Sequence, residues 1–133
     1  MRSPKTARKN SSLERPKLYR ASEEMKQWAA MLAGDLATWP GVRSKPMFGL
    51  VGFYRDDKIF AALPRTRALT APHSIIFKFH AENAATRKAR RQLQAYPATG
   101  WLSFELRSPA GLRAALGWLD LAYRMASRGG VFV

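Results

Sequence analysis

The stretch from Met47 to Leu63 constrains the fold more than any other part of this chain, because two apolar runs flank the acidic pair Asp56-Asp57. Apolar runs bounded by turn residues read as a β-hairpin. With Asp56-Asp57 as a two-residue loop, Phe53 faces Phe60, Tyr54 faces Ile59 and Gly52 faces Ala61. Both faces of such a ribbon are largely apolar, so it belongs inside a sheet covered on at least part of each face. Asp57 stands where a tight turn prefers glycine, and Arg55 opposite Lys58 sets like charges together. A wider loop from Arg55 to Lys58 is the alternative.

The segments around the hairpin carry helical and strand periods. Ser22 is placed to cap a helix, with Glu23 and Glu24 at its positive end, and Met25, Trp28, Leu32 and Leu36 mark its buried face. Trp39-Pro40-Gly41 ends that segment, since a residue before proline disfavours helix. The segment Arg43-Ser44-Lys45-Pro46 leads into the hairpin, and a loop follows Leu63-Pro64. Residues 74–79 form a third strand, with Ile75, Phe77 and Phe79 on one face and Ile76, Lys78 and His80 on the other. Glu82 to Leu93 is a second helix with an apolar stripe of Ala85, Ala89 and Leu93. Residues 101–106 alternate, placing Leu102, Phe104 and Leu106 inward and Trp101, Ser103 and Glu105 outward. Ser108-Pro109 opens a third helix with the stripe Leu112, Ala115, Leu116, Leu119, Tyr123 and Ala126, stopped by Gly129-Gly130. The order α-β-β-β-α-β-α predicts an α+β domain, an antiparallel β-meander sheet packed with helices.

Charge bounds the partners. The net charge is +14 over 133 residues. Residues 1–20 carry seven bases, Arg8 and Lys9 among them, against Glu14 alone, a net +6 that leaves +8 for the rest. Such a field attracts polyanions, nucleic acid being the commonest. Residues 1–21 are polar, basic and aperiodic, and are expected to form a disordered arm before a single domain over 22–133. The absence of cysteine excludes disulfides, thiolate metal sites and cysteine nucleophiles. With no secretory signal and no apolar run of bilayer length, the expectation is a cytoplasmic protein.

Motifs for chemistry are few. No nucleophile elbow, Walker loop, dinucleotide fingerprint or zinc-helix pattern occurs. Gly49 and Gly52 read as strand glycines that permit close packing or a bulge. His73 and His80 have opposite parity on their strand, which argues against one shared metal and for solvated side chains. Acids are scattered, so enzymatic activity, a cofactor and a metal are not expected. The densest positive cluster is Arg87, Lys88, Arg90 and Arg91 on the second helix, a face suited to phosphate.

The hairpin also carries a resemblance. Residues 45–61, from Lys45-Pro46-Met47-Phe48-Gly49 through Gly52 and Tyr54 to Phe60-Ala61, resemble the signature of TfoX N-terminal domains, which belong to the wider MmcQ/YjbR-like group. Residues 100–106, followed by a helix bearing Ala122-Tyr123, look like that wider group and like uncharacterised luciferase-domain proteins. Asp57 departs from the usual turn glycine. The resemblance implies a YjbR-like α+β fold and an association with DNA or the regulation of competence genes. It brings no catalytic residues.

The expected function is a non-enzymatic binding module associated with nucleic acid or regulation. Its contacts are expected from Arg87, Lys88, Arg90 and Arg91, from Lys78 and Trp101 on an open sheet face, and from Arg8 and Lys9 in the arm. The alternative is a protein–protein or homodimerising domain that docks through Trp101 and the apolar tail 131–133. An enzyme using Glu105 or His80 in a small pocket is the third reading.

Overall fold

The computed structural model describes residues 18–69, 71–95 and 100–127. Its elements in chain order are β1 (Leu18–Arg20), α1 (Glu23–Leu36), β2 (Val42–Met47), β3 (Leu50–Arg55), β4 (Lys58–Pro64), β5 (Arg67–Leu69), β6 (Ser74–Lys78), α2 (Ala84–Gln92), β7 (Gln94–Ala95), β8 (Trp101–Glu105) and α3 (Ala110–Met125). The chain is α+β, as its pattern predicts. Six antiparallel strands form one sheet in the order β2-β3-β4-β6-β8-β7, and β1 pairs with β5 in a two-stranded sheet. The arm up to residue 17 with Arg8 and Lys9, the turn at 96–99, the glycine pair 129–130 and the tail 131–133 lie outside the described residues.

The strands outnumber the expected four, and each addition has a local cause. Residues 18–20 are strand rather than arm because β5 supplies a partner, in register Leu18 with Leu69, Tyr19 with Ala68 and Arg20 with Arg67. The expected approach at 43–46 is instead edge strand β2. Proline is tolerated there because an edge residue need not donate to the ladder. The chain turns at Phe48-Gly49, where both residues take positive φ (48° and 81°), the conformation of a tight primed hairpin turn. Gly49 is therefore in a turn and not in a strand.

The hairpin loop is the two-residue Asp56-Asp57, with Asp56 at φ 57°. Tyr54 faces Ile59 and Arg55 faces Lys58 as expected, but a register shift beside Phe53 then pairs Phe53 with Ala61 and Gly52 with Ala62. Phe60 is the extra residue of a bulge, which lets Phe60 and Ala61 both enter the core. The Arg55–Lys58 repulsion is relieved by the end of α3. Arg55 Nη1 donates to the Tyr123 carbonyl at 3.1 Å, and Lys58 Nζ donates to the Ser127 carbonyl at 3.4 Å. Cations at a helix C-terminus satisfy its last carbonyls and its negative dipole end.

The helices stack on one face of the sheet. Met25, Trp28, Leu32 and Leu36 of α1, Ala89 of α2 and Ala115, Leu119, Ala122 and Tyr123 of α3 share one buried cluster with Phe53, Phe60, Ile75, Phe77, Phe79, Leu102 and Leu106. Ser22 caps α1 by accepting from the Met25 amide at 3.0 Å, and α1 ends three residues before Trp39. The cap of α2 is Asn83, one residue after the expected start, and its buried side is Thr86 and Ala89; Ala85 is exposed. Ser108 makes no side-chain cap, because Pro109 itself is the capping residue and the turn closes on the Ser108 carbonyl. α3 ends at Met125, short of the glycine pair.

Candidate functional site

The opposite face of the sheet carries no helix among the described residues. Its apolar part is a small cluster of Leu50, Ala62, Leu69 and Ile76, with Met47 and Trp101 packed against it. Strand β5 supplies Leu69 and covers the end of this face near Pro64 and Ser74. The other end carries two sets of opposed residues, Arg43–Tyr54–Ile59 and Lys78–Trp101. They lie two residues along their strands (three for Ile59, across the bulge) from the register row Gly52–Ala62–Ile76–Ser103 and so share its face. Directly opposed antiparallel residues point to the same face. At a strand spacing of ~4.8 Å, the strands that carry Tyr54 and Trp101, β3 and β8, lie about 14 Å apart across β4 and β6.

The side chains of both sets are held. Met47, Ile59 and Tyr54 close over Gly52, where an added Cβ would lie 2.8 Å from Met47 Sδ and 3.2 Å from Ile59 Cδ1. The Lys78 stem crosses Gly100, whose φ of 84° and missing side chain leave room for it. Arg43 donates to the Asp56 carbonyl at 2.7 Å. Arg43, Ser44, Lys45 and Tyr54 line an open hollow of about 280 Å³. None of Arg43, Lys45 and Lys78 is ion-paired with a described carboxylate.

The expected site residues thus separate. Lys78 and Trp101 are cross-strand neighbours, as parity predicts. Trp101 is half-buried against the small cluster, so it presents part of its ring rather than a free face. Arg87, Lys88 and Arg91 are exposed on α2, which packs on the other side of the sheet. Arg90 is committed elsewhere: it binds Glu82 Oε2 at 2.6 and 2.9 Å and lies 5.4 Å from the centre of the Phe79 ring. Arg43, Lys45 and Tyr54 were not among the expected contacts, although the alternation of bases at 43 and 45 is a strand signal.

The Arg90 hydrogen bond lowers the Glu82 carboxyl below its ordinary value, with the Thr86 hydroxyl and the charges of Arg90 and Arg87 acting the same way and burial opposing them. A depressed folded-state carboxyl contributes stability above its unfolded pKa and loses it as pH falls through the folded one. Glu82→Gln is therefore expected to lower the urea midpoint at about pH 7 and to match the parent at about pH 2. A gap that persists in acid would show that the ion pair is not its source.

The remaining polar groups serve the scaffold. His73 Nε2 is hydrogen-bonded to Ser22 Oγ at 2.9 Å beside Trp28, and His80 Nε2 to the Ile59 carbonyl at 2.6 Å, so both histidines are half-buried and partnered rather than solvated. Glu105 pairs with Arg107 at 3.2 Å and lies at the far end of β6 from His80. Among the described residues no group of three or more His, Asp or Glu is placed to hold a metal, and no helix is long and apolar enough to cross a membrane. Comparison of the chain with family models, curated proteins and solved structures finds no match.

Proposed function

We propose that this chain is a non-enzymatic, cytoplasmic module that binds single-stranded nucleic acid across the sheet face opposite its three described helices. The observation that carries the reading is the set Arg43, Tyr54, Lys78 and Trp101, two aromatic rings among bases that no described carboxylate neutralises. Rings that accept any base by stacking, set among cations that track phosphate, bind single strands with little sequence preference. The net charge of +14 supplies the long-range attraction. The likeness of residues 45–61 to TfoX N-terminal domains supports a place near DNA. Docking of a second copy along β2 is disfavoured by Pro46, Arg43 and Lys45, the residue types that blunt an exposed strand edge.

The test is a fluorescence-anisotropy titration with a labelled mixed-sequence single strand at several salt concentrations. Affinity is expected to fall with salt at a log–log slope of about 0.7 per phosphate neutralised. Absence of binding at low salt, or binding indifferent to salt, would refute the reading.

A further inference from the structure

One large apolar side chain is left on the surface in a conformation that costs energy. Phe48 is 84% exposed, and its φ is +48°. A bulky side chain disfavours the left-handed region, which glycine and asparagine accept. The favoured pair for this turn is Asn-Gly, so a phenylalanine here sacrifices both backbone ease and solvation. Strain of this kind persists where the surroundings over-determine it.

The surroundings do so here. The Gly49 carbonyl accepts three backbone amides, from Arg65 at 3.0 Å, Thr66 at 2.9 Å and Arg67 at 3.0 Å. The Arg67 side chain lies so close over Gly49 that an added Cβ would stand 2.6 Å from its Cγ. The tip is therefore locked, and the ring is presented from a fixed base rather than on a loose loop.

Three arginines lie on the segments packed around the turn. Arg65 and Arg67 are exposed and bracket the turn, and Arg67 stands directly opposite Arg20 on β1. Like charges directly opposed on neighbouring strands destabilise a sheet, and an anion between them reverses that effect. None of the three is ion-paired with a described carboxylate. Arg20 and Arg67 share a hollow of about 290 Å³ with Glu23 and Lys26, and the Glu23 carboxylate is taken by Lys26 at 3.0 Å.

We infer that Phe48 is a base-stacking residue: an unpaired nucleobase lies on its ring while Arg20, Arg65 and Arg67 hold the flanking phosphates. The inference rests on the single-strand reading above and extends that interface from the Arg43–Trp101 set along β2 to the Phe48 tip. It also specifies the substrate, because a base in a duplex stack cannot offer its face to a side chain at a turn.

The variant that tests it is Phe48→Asn, which removes the ring and relieves the backbone. Its urea midpoint is expected to equal or exceed that of the parent. Its affinity for a labelled mixed-sequence single strand is expected to fall about 5- to 150-fold, the range for loss of one base–aromatic stack. Phe48→Trp is expected to keep parental affinity, and 2-aminopurine in the strand is expected to be quenched less by Phe48→Asn than by the parent. Equal affinities of parent and Phe48→Asn would overturn the inference while leaving the sheet reading in place; no binding by the parent would overturn both. Vesicles of anionic phospholipid are run in parallel. Phe48-dependent vesicle binding with Phe48-independent oligonucleotide binding would assign the ring to a lipid surface and overturn the inference.

Discussion

Tyr123→Ala is expected to cost about 3–5 kcal/mol of folding stability, the range for removing a large buried aromatic. The side chain joins three separate parts of the fold. Its hydroxyl donates to the Pro40 carbonyl at 2.6 Å, in the connection between α1 and β2. Its ring meets Trp39 at 5.1 Å and Phe60 at 5.7 Å, so it packs on both that connection and the bulge of β4. The Arg55 guanidinium stands 4.1 Å from the ring centre while donating to the Tyr123 carbonyl. Truncation would leave a cavity, an unpaired carbonyl and an arginine without its ring. Tyr123→Phe separates these effects, because it keeps the packing and removes one hydrogen bond, at about 1–2 kcal/mol. Against a usual total of about 5–15 kcal/mol, the alanine loss should be plain in urea unfolding. A Tyr123→Ala cost below about 1 kcal/mol would mean that the hairpin tip and α3 are not coupled through this residue.

What the sequence discloses of this fold depends on where each element finds its partners. Helices α1 and α3 are legible because their apolar stripes recur every three or four residues and each buries one face. Strands β6 and β8 are legible because Ile75 to Lys78 and Trp101 to Glu105 alternate between two faces. Strand β2 is concealed by its own edge position: it pairs on one side only, so Arg43, Ser44, Lys45 and Pro46 suffice, and they resemble a loop. The bulge at Phe60 leaves no mark, since a run of apolar residues looks the same with or without a slipped register. The Arg55–Lys58 contact is unfavourable within the hairpin and becomes favourable only when α3 arrives from about 70 residues away. The same limit applies to the interface. Parity alone joins Lys78 to Trp101, but nothing local says that α2 packs on the other side of the sheet from them.

That division between faces yields a controlled comparison with a large expected difference. Arg43→Gln, Lys45→Gln and Lys78→Gln together remove three positive charges from the sheet face opposite the described helices. Arg87→Gln, Lys88→Gln and Arg91→Gln remove three from the exposed side of α2. The two triple variants have the same net charge, so any difference in single-strand binding comes from where the charges sit and not from the general field. Neutralising three phosphate contacts should lower the salt slope by about 2, so the sheet variant should lose about 16-fold less affinity than the parent between 50 and 200 mM salt. Its affinity at low salt should fall accordingly, and the α2 variant should keep the parental slope. All six positions are exposed or half-buried and free of described ion pairs, so both variants should fold. Equal losses would mean that binding follows total charge alone, and a larger loss from the α2 variant would move the interface to the helix. The sheet face keeps its role only if its three bases, and not an equal number elsewhere, set the slope.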